Sequence, residues 1–280
     1  MCSERAGTPL IHSLERARSL RVAVIGAGMA GILAVIRLRE SGITDVTCFE
    51  KADDLGGTWR ENTYPGIACD VPSHLYSYSF APNPDFSRMF SPGGEIHEYL
   101  RQVATDHGVL DVVRFGEEVL TMSYADQGWS VVTTSGVQGR FDVVIAATGV
   151  LHHPRLPDID GLDTFEGKIF HSARWDHSVE LTGRRVGVIG TGSTAVQITG
   201  GVIDDVARLS LFQRTPQWIM PLDNQPIAAE QRAEFRSHPE RLRELREFLE
   251  RSFAENFADA VVAADSEALA KIEATCRTYL

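Results

Sequence analysis

The chain has 280 residues, 43% of them hydrophobic and 24 of them glycine, which suits a glycine-rich α/β protein and excludes disorder and fibrous repeats. Against 27 Lys and Arg stand 38 Asp and Glu, a net charge of −11, which argues against nucleic acid or an anionic membrane as the main partner. Single cations remain available for a phosphorylated cofactor. Cys2, Cys48, Cys69 and Cys276 include no CxxC spacing, and no apolar run approaches the ~18 residues of a membrane span, so a cytoplasmic protein in a reducing compartment is expected.

Residues 1–20 form a polar lead-in. Arg21–Ile25 (RVAVI) has the β-branched, continuously apolar character of a buried parallel strand. It runs into the turn GAGMAG at Gly26–Gly31, then an apolar helix over Ile32–Arg39 stopped by Ser41-Gly42, then a strand over Val46–Glu50. From Leu55 to Pro92 the chain is irregular and rich in Gly, Pro, Tyr and Ser, a length that usually signals function. The spacing predicts a helix over Glu95–His107 with Ile96, Tyr99, Leu100 and Val103 on one face. Short strands follow at Glu118–Met122 and Trp129–Thr133, and a buried strand at Phe141–Ala147 ends on Thr148-Gly149. After a crossover at His152–Pro157, a second strand–glycine–helix unit begins with Arg185–Ile189 and the turn GTGSTA at Gly190–Ala195. Leu209–Arg214 supplies the next strand of that unit. From about Ala228 the composition turns helical.

The predicted architecture is α/β, with two Rossmann-like dinucleotide-binding units and a C-terminal helical segment. Its expected divisions are 1–20, 21–153, 154–226 and 227–280.

The first turn is GxGxxG placed between strand and helix. Gly26 permits the tight turn, Gly28 lets backbone approach a pyrophosphate, and Gly31 lets the helix pack on the strand. Glu50, at the end of the second strand, suits ribose hydroxyls. The second turn, GxGxxA, is followed by a strand ending not in an acid but in Gln213-Arg214-Thr215, and a cation there favours the 2′-phosphate of NADP. Two such units point to a flavin enzyme reduced by a nicotinamide, with Thr148-Gly149 as small residues at the edge of FAD. His152-His153 lacks a further ligand at useful spacing, so no metal is expected. By themselves Trp59 and Tyr76 suit loop packing, Asp70 an Asx-turn, Arg214 a solvated strand end, and His171 a hydrogen-bonded linker residue.

Four segments taken together are more specific: GGTWRENTYPGIACDVPSHLYSYSF (Gly56–Phe80), AATG (Ala146–Gly149), FEGKIFHSARWD (Phe165–Asp176) and FQRTP (Phe212–Pro216). In this order they resemble the type I Baeyer–Villiger monooxygenases, single-component enzymes using FAD and NADPH. Phe165, Gly167, His171 and Trp175 match that family's fingerprint F-x-G-x-x-x-H-x-x-x-W, with Asp176 where proline is commonest.

The resemblance implies that FAD is reduced by NADPH and activates O₂ as a flavin peroxide, which inserts one oxygen beside a ketone carbonyl to give an ester or lactone. It implies FAD contacts at Gly26, Gly28, Gly31, Glu50, Gly57, Thr58 and Trp59, another cofactor contact at Tyr76, and NADP contacts at Thr191, Gly192, Ser193, Thr194, Gln197, Arg214 and Thr215. It implies a catalytic Asp70 beside the flavin, itself among the cofactor-binding residues, that orients an active-site arginine, and for His171 a role in domain positioning.

In the family the arginine lies beyond a helical insertion, and strands from the later half complete both nucleotide units, so an N-terminal portion of a monooxygenase, incomplete relative to the family, is expected. The alternatives are sulfur or nitrogen oxidation on the same scaffold, a truncated FAD/NADP-binding protein without oxygenation, and an NADPH oxidase releasing only peroxide.

Overall fold

A computed structural model describes residues 19–220, 223–254 and 266–279. All but the end of the polar lead-in, and residues 255–265 and 280 of the helical segment, lie outside the described residues. The chain divides into two compact units. One comprises the described residues up to Glu61 with His97–Leu156; the other comprises Asn62–Ile96 with the described residues from Pro157 onward. The sequence boundaries had assigned 62–96 to the first unit. It groups instead with the second, because its backbone packs directly on a helix of that unit.

In the first unit, β1 (Val22–Ile25), β2 (Val46–Phe49), β3 (Val113–Arg114) and β7 (Val143–Ala146) form a parallel sheet in the order β3-β2-β1-β7. Parallel neighbours need a crossover, and α1 (Met29–Glu40) supplies it between β1 and β2, burying Gly31, Ile32, Val35 and Ile36. An antiparallel sheet of β4 (Val119–Ala125), β5 (Gly128–Thr133) and β6 (Gly136–Phe141) adds to the core. Val131 and Phe141 join Ala23, Ile25 and Phe49 in one cluster, with the Phe49 and Phe141 rings edge to face at 5.9 Å. Burial on both faces explains why β1 has no polar alternation.

The expected buried strand Phe141–Ala147 is two elements. Phe141 closes β6, and Asp142 makes the bend, its carboxylate accepting from the Arg21 amide at 2.8 Å. β7 is only partly buried, with Val143 37% exposed, because β1 is its one strand neighbour among the described residues. β6 itself was not anticipated. Its sequence GVQGRF holds two positive-φ glycines, Gly136 and Gly139, so it lacks strand composition and is held by its ladder to β5.

Helix α2 (Gly93–Asp106) buries Ile96, Tyr99, Leu100 and Val103 on one face, as the spacing predicts.

In the second unit, β8 (Arg185–Ile189) and β9 (Arg208–Phe212) pair in parallel, with α3 (Ser193–Val202) between them in sequence. β9 ends two residues before Arg214, the expected strand end. Ile198 and Val202 of α3 pack with Tyr64, and Ile67, Trp175 and Val188 lie against this cluster. Helices α4 (Ala229–Ser237), α5 (Pro239–Phe253) and α6 (Ser266–Tyr279) follow. Among the described residues no helix is long and apolar enough to cross a membrane, and no group of three or more His, Cys, Asp or Glu could hold a metal ion.

His74 is buried in this unit, 3% exposed, with Phe86 and Phe235 edge-on at 5.5 Å each. Neither ring nitrogen has a hydrogen-bond partner among the described residues, while the Arg246 guanidinium donates to its backbone carbonyl at 3.0 Å. Burial pushes the imidazole down to about 4, so it is neutral when folded. Between the ordinary value of 6.5 and about 4 the unfolded chain binds the extra proton, so this contribution is whole above pH 6.5 and declines as pH falls through that window. At about 1.4 kcal/mol per pKa unit the loss approaches roughly 3 kcal/mol. Urea titrations from pH 7.5 to 4.5 should show a steeper decline for the native chain than for His74→Phe; parallel curves would refute the assignment.

Candidate functional site

In the first unit the turn after β1 is built from close backbone approaches. Gly26 has φ +100°, and a Cβ there would lie 2.7 Å from the Ala147 carbonyl oxygen and 3.6 Å from the Thr148 Cα. Its amide donates to Phe49 O at 2.7 Å, tying the turn to the end of β2. A Cβ on Gly31 would overlap the Gly26 carbonyl oxygen. Gly28 caps α1 without any side-chain hydrogen bond, so no side chain covers the positive end of the helix dipole. The Gly57 Cα lies 3.6 Å from where a Gly28 Cβ would stand, and the Gly56 amide donates to Ala27 O at 3.0 Å. The GGTW loop and the GAGMAG turn therefore form one glycine-walled cradle. Thr58 and Trp59 start a single helical turn, Thr58–Glu61, on its rim.

Glu50 is 7% exposed. Its Oε2 accepts from the Ala27 amide at 2.7 Å and its Oε1 from the Ala52 amide at 2.9 Å. With roughly four lone-pair sites on a carboxylate, capacity remains for a hydroxyl. The neighbouring Cys48 thiol, pushed up to about 12 chiefly by burial, donates to Gly26 O at 3.6 Å. Gly26, Gly28, Gly31, Glu50, Gly57, Thr58, Trp59, Thr148 and Gly149 thus gather in one unit.

His97 was missed by sequence reasoning. From α2 its Nε2 bonds Leu55 O at 2.9 Å, and its ring fills the space a Gly56 Cβ would need. Its position beside Ile96 was the one available signal. Lys51 Nζ sits 3.0 Å from His152 Nδ1 and 3.6 Å from Glu61; burial first, then the Lys51 charge, lowers His152.

The second unit repeats the turn. Gly190, at φ +128°, donates its amide to Phe212 O at 3.0 Å, and a Cβ on Gly190 or Gly192 would meet nothing within 4 Å. Gly192 caps α3, again without a side-chain hydrogen bond, and Ser193 and Thr194 open the helix. Thr191 Oγ1 donates to Thr215 O at 3.2 Å, and Arg214 is exposed beside it. One turn along α3, Gln197 bonds Tyr64, Ala68 and Asp70. Tyr76 lies elsewhere in the 62–96 segment, its amide donating to Pro72 O at 2.8 Å.

The Phe165–Asp176 segment is a largely exposed linker held by local contacts, with Phe165 62% exposed and Ala173 buried. A Cβ on Gly167 would collide with the Phe165 ring. His171 Nδ1 accepts from the Ala173 amide at 3.1 Å, capping a 3₁₀ turn at Ser172–Arg174. Trp175 stands edge-on to Phe170 at 5.0 Å. Asp176 Oδ1 accepts from the Ser178 hydroxyl at 2.6 Å and amide at 3.0 Å, which lowers its carboxyl. An Asx-turn therefore stiffens the position where proline is commonest.

A family model described as flavin-binding monooxygenase-like matches residues 19–225. The chain belongs to this family. A relative, the Baeyer-Villiger monooxygenase of Streptomyces coelicolor, is 51% identical over 222 residues, covering 79% of this chain and 43% of the relative. The crystal structure of cyclohexanone monooxygenase from Rhodococcus sp. Phi1 bound to NADP+ is 39% identical with a TM-score of 0.71, covering 79% of this chain and 43% of that one. The crystal structure of OTEMO complexed with FAD and NADP is 35% identical with a TM-score of 0.69, covering 79% and 44%. The flavin-binding monooxygenase-like chain thus spans less than half the length of the proteins it matches.

Proposed function

We propose that the chain carries the FAD and NADP sites of a Baeyer–Villiger monooxygenase, which converts a ketone, O₂, NADPH and a proton into an ester or lactone, water and NADP⁺. The observation that carries this is the glycine-walled cradle. Two separated segments, Gly26–Gly31 and Gly56–Trp59, approach closely enough that side chains are excluded, beside an uncapped helix terminus and a buried carboxylate. That arrangement fits the pyrophosphate and ribose of FAD. The open turn at Gly190–Gly192 with Arg214 nearby fits NADP.

When bound, the two cofactors supply the hydride and activate O₂; the protein orients them and tunes charge. Gly28 and Gly57 admit the pyrophosphate, Glu50 takes a ribose hydroxyl, and Arg214 pairs the 2′-phosphate. Asp70 supplies a fixed negative charge that orients a cation near the reacting oxygen. A ketone is favoured because the similar proteins carry that chemistry in their names. The buried free thiols Cys48, Cys69 and Cys276 suit the reducing cytoplasm.

The test is spectroscopic. The purified protein should show a flavin band that bleaches anaerobically with NADPH. NADPH should be preferred to NADH by at least about tenfold, the worth of one charge-assisted contact, and Arg214→Ala should remove the preference while sparing the NADH rate. A colourless protein that takes up no FAD would overturn the assignment. So would NADPH consumption returned wholly as peroxide with every ketone tried.

A further inference from the structure

A primary amide has two donor hydrogens and two acceptor lone pairs, and Gln197 uses all four on a single stretch of chain. Its Oε1 accepts from the Tyr64 hydroxyl at 3.0 Å and the Ala68 amide at 3.3 Å. Its Nε2 donates to Ala68 O at 3.1 Å and to Asp70 Oδ1 at 2.5 Å. The two Ala68 bonds fix the amide plane as a neighbouring strand would, and the remaining hydrogen then points at the carboxylate. The segment lies backbone to backbone on α3: a Cβ on Gly66 would overlap the Gln197 carbonyl oxygen and one on Gly201 would lie 2.5 Å from the Pro65 carbonyl carbon.

We propose that Gln197 is a positioning residue for Asp70, holding its carboxylate in one rotamer and tying it to the helix of the second glycine turn. This rests on the assignment of Asp70 proposed above. Asp70 is exposed, so without the tether its side chain would sample several rotamers and its charge would lose its aim. Gln197 also lies four residues after Ser193, on the same face of α3. The turn proposed for NADP and the catalytic carboxylate are thereby parts of one rigid piece. Gln197 accordingly serves the protein rather than the cofactor, in contrast to its sequence-based assignment.

The first test needs no cofactor. Gln197→Glu keeps both acceptors but loses both donors and sets a second carboxylate beside Asp70. Hydrogen exchange of 64–71 should accelerate by about tenfold or more, one hydrogen bond's worth. In the double variant Gln197→Glu with Asp70→Asn, the new amide donates back to the glutamate, so protection should exceed that of Gln197→Glu alone. Additive effects of the two substitutions, or unchanged exchange in Gln197→Glu, would overturn the proposal.

The second test uses the FAD-loaded protein. Gln197→Ala should divert NADPH equivalents from product to peroxide with little change in the KM for NADPH. A raised KM with unchanged product yield would make Gln197 a cofactor ligand and overturn the proposal. If the exchange coupling holds but Asp70→Ala keeps full product yield, the tether stands and the functional assignment of Asp70 falls.

Discussion

Asp70→Ala is expected to abolish ester formation while FAD stays bound. Gly28, Glu50 and Gly57, proposed to hold the pyrophosphate and ribose of FAD, lie within the first unit, whereas Asp70 belongs to the second, so its loss should leave the flavin absorbance in place. What disappears is a fixed charge. The neighbouring Cys69 thiol, pushed up to about 11 mainly by burial, also feels that charge as a smaller raising effect. Removing one preorganised electrostatic group typically costs on the order of 10²–10³ in rate. NADPH should still be consumed, with the oxygen leaving as peroxide. Paired assays of NADPH, peroxide and ester on the flavin-loaded protein measure this, and Asp70→Asn should behave like the alanine variant because shape without charge is insufficient. Full turnover in Asp70→Ala would remove the role.

Gly31→Ala should yield colourless, destabilised protein. The new methyl overlaps the Gly26 carbonyl oxygen, and that oxygen cannot retreat: the Gly26 amide is bonded to Phe49 O, and its φ of +100° belongs to glycine. Relief must come from α1 lifting off β1, which displaces the helix terminus from the phosphate position. Overpacking of this kind costs about 1–3 kcal/mol. FAD affinity and the thermal midpoint should fall together. Gly94→Ala is the control, since a Cβ there meets nothing within 4 Å and alanine is favoured in a helix by roughly 0.5–1 kcal/mol. Retained yellow colour and an unchanged midpoint in Gly31→Ala would show that the turn has slack the geometry denies.

The contrast between these glycines shows which parts of the molecule were legible in the sequence. GAGMAG could be read because its requirements are local: a turn, a close approach and a helix start within six residues. The apolar runs of β1 and the face of α2 were legible for the same reason. β6 was not, because Gly136 and Gly139 remove its strand character and only pairing to β5 makes it a strand. The split of Phe141 from β7 depends on Phe49 being there to receive the ring. His97 and Gln197 act through partners 42 and 127 or more residues away, distances over which no sequence spacing carries a signal. Gln197 lies in a motif that suggests a cofactor, and nothing in that motif signals its hydrogen bonds to Tyr64, Ala68 and Asp70.

The two amide bonds of Glu50 bear on how fast the site can be filled. They fasten the first turn to the strand end from within the chain, so the receptive conformation exists before any dinucleotide arrives. Uptake of FAD at this turn should then be a single encounter, its rate linear in FAD concentration, with no plateau from a slow rearrangement.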